Sequence, residues 1–350
     1  MRKKKLQAGV VGTGMGRYHM EAYANHPDVE LVAVCDLNAA EAKQMADRYG
    51  ARHLFTDYRK LCEADLDLVS IATPNHLHAP MTIAALQAGK HVLCEKPLAT
   101  SVADAAAMVE AARRAKKRLM VDMSLRFVPV HVAMHHYARS GKLGELYYGR
   151  AGMIRRKSVP VLDFPADTAT MGRGRWFVDH KQAGGGALMD IGVHTFDLAW
   201  WLLGQPRLLA ASAVTFAKLA PERWAAAGVP ADVDELAAAL VRCEGGATII
   251  FEVSWAAHQP GDWYVKIYGT AAGLSLNERL GIYTEQDGFQ SLILPDIPQE
   301  VESAYQHFVR CIQHPDQPML ASGEDGLEVI RVLEAISASA AKGAEVKISR

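Results

Sequence analysis

Val10-Val11-Gly12-Thr13-Gly14-Met15-Gly16 closes the short apolar run Ala8-Gly9-Val10-Val11 and leads into helical sequence. Glycines at a strand-to-helix turn let the backbone approach a bound group closely. The first N–H groups of the following helix lack intrahelical acceptors and attract an anion. The pattern is Gly-x-Gly-x-Gly. The usual dinucleotide fingerprint, Gly-x-Gly-x-x-Gly, has its third glycine one residue later, where Arg17 stands here. A tight turn without ligand can use the same residues, so the loop alone is a weak signal. Asp36 adds to it, because it ends the next apolar run 22 residues after Gly14, near the ~20-residue offset of a ribose-binding acid. A carboxylate there accepts from the ribose hydroxyls and repels a 2′-phosphate, which favours NAD over NADP. Its alternative use, capping the following helix, falls more naturally to Asn38. Gly12, Gly14, Met15, Gly16 and Asp36 are therefore candidate cofactor residues.

Outward from this loop, short continuous apolar runs alternate with helical patterns. Ala8–Val11, Leu31–Cys35, Leu68–Ala72 and His91–Cys94 read as buried strands,. Asn38–Tyr49, Leu77–Ala88 and Val102–Ala115 carry apolar residues three and four apart, with Gly50 and Gly89 where C-terminal caps belong,. This alternation predicts a doubly wound parallel sheet with helices on both faces. The rhythm fades after Leu119-Met120-Val121-Asp122. Helical sequence over Pro129–Ser140 comes next, then a strand over Leu146–Ile154 and a loop-like, Gly-rich stretch over much of 157–186. An apolar helix spans Ala187–Leu203. Leu236–Arg242, Ala247–Trp255 and Tyr264–Gly269 read as antiparallel strands, and Glu324–Ala341 as a last helix,. The expected organisation is α/β. A domain over 1–125 carries the parallel sheet, and an α+β domain over 126–350 carries a large, mainly antiparallel open sheet.

Composition limits the function classes. The chain has 350 residues, half of them apolar and 22% charged, with a formal net charge of −1. That length suits two cores. The absence of basic excess argues against nucleic acid as a partner. Five scattered cysteines without a Cys-x-x-Cys pair suit reduced thiols better than a disulfide frame or a zinc site. No apolar stretch approaches the ~20 residues of a membrane span. The basic start Arg2–Lys5 is not expected to open a signal peptide, because glycines and then Arg17, His19 and Glu21 interrupt the apolar stretch behind it,. A cytoplasmic location is expected.

Ala72-Thr73-Pro74-Asn75-His76 ends a strand at the carboxyl edge of the sheet, where ligands of open α/β sheets bind. Thr73, Asn75 and His76 are candidate cofactor contacts, although Thr, Pro and Asn also serve plain turns. His76 with His78, and His131 with His135, resemble metal pairs but lack partner ligands, so no metal is expected. Leu93-Cys94-Glu95-Lys96-Pro97 places a lysine at the same edge. Further on, Gly184-Gly185-Gly186-Ala187-Leu188-Met189 runs into Asp190-Ile191-Gly192-Val193-His194-Thr195-Phe196-Asp197. Asp190 and His194, four apart, would share a helix face, where a carboxylate can orient an imidazole.

With Glu95-Lys96-Pro97 and the Asp190–Asp197 segment about 95 residues apart, the chain resembles the Gfo/Idh/MocA family, the glucose–fructose oxidoreductase and inositol dehydrogenase group. The resemblance spans nearly the whole chain. It implies a Rossmann domain binding NAD and a dehydrogenase acting on a secondary alcohol of a sugar, glycoside or inositol. Lys96, His194 and Asp190 would be catalytic. His194 is favoured as general base with Lys96 stabilising the alkoxide, while in the family the lysine is sometimes named the acid/base instead. The resemblance further implies that Glu95 belongs to the cofactor side and supports Lys96, with the Lys96–Pro97 peptide in cis. Trp176 would cover nicotinamide or sugar. Arg126, Arg155 and Arg156 can meet a polar substrate or be surface charge. Trp200 and Trp201 are expected in the core, with Asp197 bracing its helix. A homodimer or homotetramer is implied. Two other readings share the scaffold. One cleaves a glycoside through transient oxidation. The other is a non-catalytic dinucleotide-binding regulator.

Overall fold

The computed structural model describes residues 4–162 and 174–349. The part of the expected 157–186 loop that falls on 163–173 lies outside them. The chain divides into two compact units. The first takes the chain up to Met123 together with Glu302–Leu327, and the second takes the other described residues. A single boundary near 125 does not provide for the return of Glu302–Leu327 to the first unit.

The first unit is built on six parallel strands: β1 (Leu6–Val11), β2 (Val29–Cys35), β3 (His53–Phe55), β4 (Leu68–Ile71), β5 (His91–Cys94) and β6 (Leu119–Val121). Their order is β3-β2-β1-β4-β5-β6. Helices α1 (Gly16–Ala24), α2 (Ala39–Tyr49), α3 (Tyr58–Glu63), α4 (His78–Gln87) and α5 (Val102–Ala115) connect them. Every residue of β4 is fully buried, as a strand covered by helices on both faces must be. This is why these strands read as continuous apolar runs. Asn38 caps α2 by accepting from Ala40 and Glu41 N–H, and Gly50 closes it in the left-handed conformation,.

The second unit holds a nine-stranded sheet of β7 (Leu146–Ile154), β8 (Leu208–Phe216), β9 (Leu236–Cys243), β10 (Thr248–Ser254), β11 (Asp262–Gly269), β12 (Ala272–Leu276), β13 (Leu280–Gln286), β14 (Phe289–Ile293) and β15 (Val346–Lys347). The order is β14-β13-β12-β11-β7-β10-β9-β8-β15. All neighbours are antiparallel except β7 and β10, which run parallel. Its helices are α6 (Pro129–Arg139), α7 (His180–Ala183), α8 (Val193–Leu202) and α9 (Ala220–Ala226). Then α10 (Ala304–Gln313) returns to the first unit, and α11 (Gly323–Lys342) begins there and continues in the second. Ile249, Phe251 and Val253 of β10 are fully buried, whereas Thr248, Ile250 and Glu252 are half-exposed. One face of the sheet therefore packs on α8 and the other stays open,.

Arg126 lies in the turn Ser124–Phe127 and is fully buried. Its Nε donates to Asp197 Oδ2 at 2.9 Å and its Nη2 to Oδ1 at 2.6 Å. The guanidinium also sits 5.7 Å from the Trp201 ring, whose other neighbour is the stacked His135 ring at 4.0 Å. Of the two readings of Arg126, surface charge is contradicted by its burial, and its guanidinium is committed to Asp197 rather than offered to a polar substrate. Its charge is inside the second unit, in a two-point ion pair, and Asp197 is the brace of α8. Losing one partner strands an uncompensated buried charge. Asp197→Leu should therefore destabilise the protein by about 3–5 kcal/mol in denaturant unfolding, and Arg126→Met/Asp197→Leu should recover most of that loss. Equal stability of the single variant and the wild type would contradict this.

Candidate active site

At the carboxyl edge of the parallel sheet, Gly12 has φ +93°, and a Cβ there would lie 2.3 Å from the Ala72 carbonyl oxygen. Only glycine lets the loop cross so close to the neighbouring strand end. A Cβ on Gly16 would lie 2.9 Å from Val10 Cγ1. Gly16, one residue earlier than the fingerprint places it, thus provides the close helix–strand contact. Helix α1 starts at Gly16 with no side-chain cap, the arrangement that favours a bound anion. Gly14 is half-buried and Met15 exposed on this loop.

Asp36 fastens the loop. Its Oδ2 accepts from Thr13 N at 2.8 Å and Thr13 Oγ1 at 2.7 Å, and its Oδ1 accepts from Asn38 N at 2.9 Å. It remains half-exposed at the end of β2, where a ribose can still reach it. A crossing that admits no Cβ, an uncapped helix start and an acid at the adjoining strand end together fit a dinucleotide. Bound NAD would have its pyrophosphate at Gly12–Gly16 and its adenosine ribose at Asp36.

Thr73, Asn75 and His76 are half-buried after β4. The sequence reading missed the structural role of His78. Fully buried, it has Nδ1 2.7 Å from Pro97 O and Nε2 2.8 Å from Thr73 O. It ties the Thr73–His76 loop to the Glu95-Lys96-Pro97 segment, and burial lowers its pKa despite those carbonyls. The Lys96–Pro97 peptide is cis. Lys96 is half-buried, and its backbone N–H donates to Glu95 Oε2 at 3.2 Å. Glu95, expected on the cofactor side, instead turns inward. It is 7% exposed, with Oε1 3.2 Å from His19 Nε2. His19 and its neighbour Asp122 went unassigned in the sequence. The available signal was position, since Asp122 ends the last parallel strand at the same edge.

In the second unit, the expected helix over Ala187–Leu203 begins as a π-helical turn, Leu188–Gly192, before α8. Such widened turns concentrate at functional sites. Asp190 lies within it, buried, and its Oδ2 accepts from Trp255 Nε1 at 2.9 Å. Every residue of α8 is buried except His194, which is half-exposed. The glycine run ahead of this turn is shaped by Asp234. Its carboxylate accepts from Gly186 N and Leu188 N, both at 2.8 Å, and a Cβ on Gly186 would lie 1.7 Å from the Asp234 carbonyl oxygen. Trp176 is half-buried in the turn Arg175–Val178, its ring 4.6 Å from that of Phe177. Arg155 is half-buried just beyond β7, and Arg156 is exposed. His131 bonds Leu125 O through Nδ1 at 2.7 Å, a core role.

Residues 6–123 match the model of the oxidoreductase family with an NAD-binding Rossmann fold, and residues 131–275 match the GFO/IDH/MocA C-terminal domain. The chain belongs to the GFO/IDH/MocA oxidoreductases. It is 29% identical to the D-glucoside 3-dehydrogenase of Escherichia coli (strain K12), over 99% of both chains. It is 26% identical to the inositol 2-dehydrogenase of Rhizobium meliloti (strain 1021), over 98% of this chain and 99% of that one. Among solved structures, levoglucosan dehydrogenase in complex with NADH superposes with a TM-score of 0.85 at 26% identity, covering 99% of this chain and all of that one. No helix among the described residues is long and apolar enough to cross a membrane.

Gly12→Ala tests the cofactor reading. It should weaken NADH binding at least ~10-fold, about 1.4 kcal/mol, in a fluorescence titration. Wild-type affinity in a folded variant would show that the dinucleotide lies elsewhere.

Proposed function

We propose that this chain is an NAD-dependent dehydrogenase of a ring secondary alcohol on a sugar, glycoside or inositol, with Lys96, His194 and Asp190 as its catalytic residues. The observation that carries the reading is Lys96. It is a half-buried cation on the same sheet edge as the glycine loop, fastened through Glu95 and, by way of Pro97, through His78. The relatives support the substrate class, because D-glucosides, inositol and levoglucosan are all polyhydroxylated rings.

Bound NAD supplies the hydride acceptor. The protein's task is the hydroxyl proton and the charge that develops as it leaves. His194, the one residue of its helix turned out of the core, takes the proton. Lys96 holds the alcohol oxygen and stabilises its alkoxide character. Asp190, fixed by the Trp255 indole, favours the protonated imidazole,. Thr73, Asn75, His76 and Trp176 contact the cofactor, and Arg155 is the remaining candidate for a substrate hydroxyl. Asp36 disfavours a 2′-phosphate and so selects NAD. The glycoside-cleaving alternative draws no support from these relatives, which are named as dehydrogenases.

The half-open face of the nine-stranded sheet, with Ile250 at its centre and an exposed apolar edge at Tyr283, Phe289 and Leu292, supports a homodimer or homotetramer. Five unbridged, buried cysteines suit the reducing cytoplasm,.

With NAD and a panel of glycosides and inositols, NADH should appear at 340 nm. Lys96→Ala and His194→Ala should each lower kcat/KM by about 10²- to 10⁴-fold while NADH still binds. Full turnover in both variants would refute the assignment. Sedimentation should give a dimer or tetramer that Ile250→Arg dissociates, and a monomeric wild type would contradict the interface.

A further inference from the structure

Beneath Lys96 the first unit buries a cluster that neither dinucleotide binding nor the hydride step uses. His19 from α1, Glu95 after β5 and Asp122 after β6 are 0%, 7% and 6% exposed. His19 Nε2 stands 3.2 Å from Glu95 Oε1 and 3.8 Å from Asp122 Oδ2. Tyr305, brought back by α10, packs edge-on to the His19 ring at 4.9 Å and to the Tyr23 ring at 6.0 Å. Tyr305 also favours the ionised form of the Asp122 carboxylate. Tyr23 pairs through its hydroxyl with Ser70 Oγ at 2.7 Å. Two carboxyls and an imidazole are costly to bury, and a fold that needed only packing would place apolar side chains here.

Both oxygens of Glu95 are engaged, one by His19 and the other by the Lys96 backbone N–H. The carboxylate therefore cannot swing, and what fixes His19 fixes the start of the lysine. The Lys96 charge also favours the ionised forms of Glu95 and Asp122, an attraction that acts equally on the ammonium. We propose that His19, Asp122 and Tyr305 are positioning residues that, through Glu95, hold the Lys96 ammonium in its working place. The proposal rests on the reading of Lys96 as catalytic.

The groups facing the cluster decide which carboxyl titrates. Burial and then the neighbouring Glu95 charge push Asp122 up to about 6, against the opposing pull of His19, Tyr305 and Lys96. Burial also works against ionised Glu95. There the hydrogen bond and charge of His19, with the charges of Lys96 and His78, prevail and leave its pKa lowered. Burial keeps the Tyr23 and Tyr305 phenols and the Cys94 thiol protonated. Falling pH thus protonates Asp122 while Glu95 keeps its charge. The stability sign is opposite to that of a structural salt bridge. An acid whose pKa is raised by folding stabilises the fold below its unfolded value, and that contribution is lost as pH rises through about 6,. At pH 8 ionised Asp122 is a burden on stability, so replacing it with a neutral isostere should not lower Tm.

The test is kcat and KM from pH 5 to 9, with Tm, for wild type, Asp122→Asn, Tyr305→Phe and Lys96→Ala on the best substrate with NAD. Wild-type kcat should fall along a one-proton limb near pH 6. Asp122→Asn should show a weaker acid limb than wild type and a kcat at pH 8 reduced ~10- to 100-fold, the scale of a misplaced catalytic group. Its KM for NAD should be unchanged and its Tm equal or higher. Tyr305→Phe should move the limb. A kcat of Asp122→Asn equal to that of wild type at pH 8, or a loss of kcat that tracks a fall in Tm, would overturn the proposal. So would a stoichiometric metal whose chelation reproduces the loss, since the three donor atoms lie within 4.8 Å of one another. If Lys96→Ala keeps turnover, the catalytic reading fails and this one with it. If Lys96→Ala is inactive while Asp122→Asn matches wild type at every pH, only the positioning role fails.

Discussion

In the first unit the parallel ladder runs one residue past the end of each strand. Gly12 N–H donates to Cys35 O at 2.8 Å, Asp36 to Phe55 O at 3.2 Å, Ala72 to Val11 O at 2.8 Å, Glu95 to Ile71 O at 2.9 Å and Asp122 to Cys94 O at 2.8 Å. Each donor is the first residue beyond its strand, and each acceptor is the last residue of the neighbouring strand. These bonds set one row of backbone across the carboxyl edge. The candidate cofactor residues of the unit and Lys96 stand on that row or within a few residues of it. The pyrophosphate loop, the ribose acid, the Thr73–His76 loop and Lys96 occupy one edge because a single hydrogen-bonding pattern links the ends of all six strands.

The second unit solves a different problem, which is to turn one imidazole out of a helix that is otherwise core. It does so with backbone. The adjacent acids Asp234 and Glu235 gather five amides, those of Gly186 and Leu188 and those of Lys218, Leu219 and Ala220. Gly186 passes so close to Asp234 that no side chain fits. The π turn after it feeds α8, and the Arg126–Asp197 pair holds that helix from within. His194 keeps its half-exposed place because everything around it is fastened.

Much of this was legible in the sequence because its signals are local. The glycine loop, the Glu95-Lys96-Pro97 segment and the Asp190–Asp197 segment each announce themselves within ten residues, and Asp36 by its short offset from the loop. Buried parallel strands read as apolar runs for the same reason. What escaped depends on contacts distant in the chain. His19 acquires meaning only when β5 and β6 bring Glu95 and Asp122 to it, and Tyr305 arrives from nearly two hundred residues beyond Asp122. Arg126 read as either a substrate contact or surface charge because its partner lies 71 residues away. Strands β12–β14 went unread, since their mixed polarity on both faces leaves β14 mostly exposed and no clear alternation.

Hydride transfer from a ring carbon to the nicotinamide is the centre of this account, and isotope labelling reaches it most directly. A glycoside or inositol deuterated at its ring carbinol carbons would be turned over with NAD, and the reduced cofactor analysed by mass spectrometry and NMR. One deuterium per NADH formed, on a single face of the nicotinamide C4, is the predicted result. Reduced cofactor without label, or substrate deuterium lost to water while the cofactor stays oxidised, would contradict it.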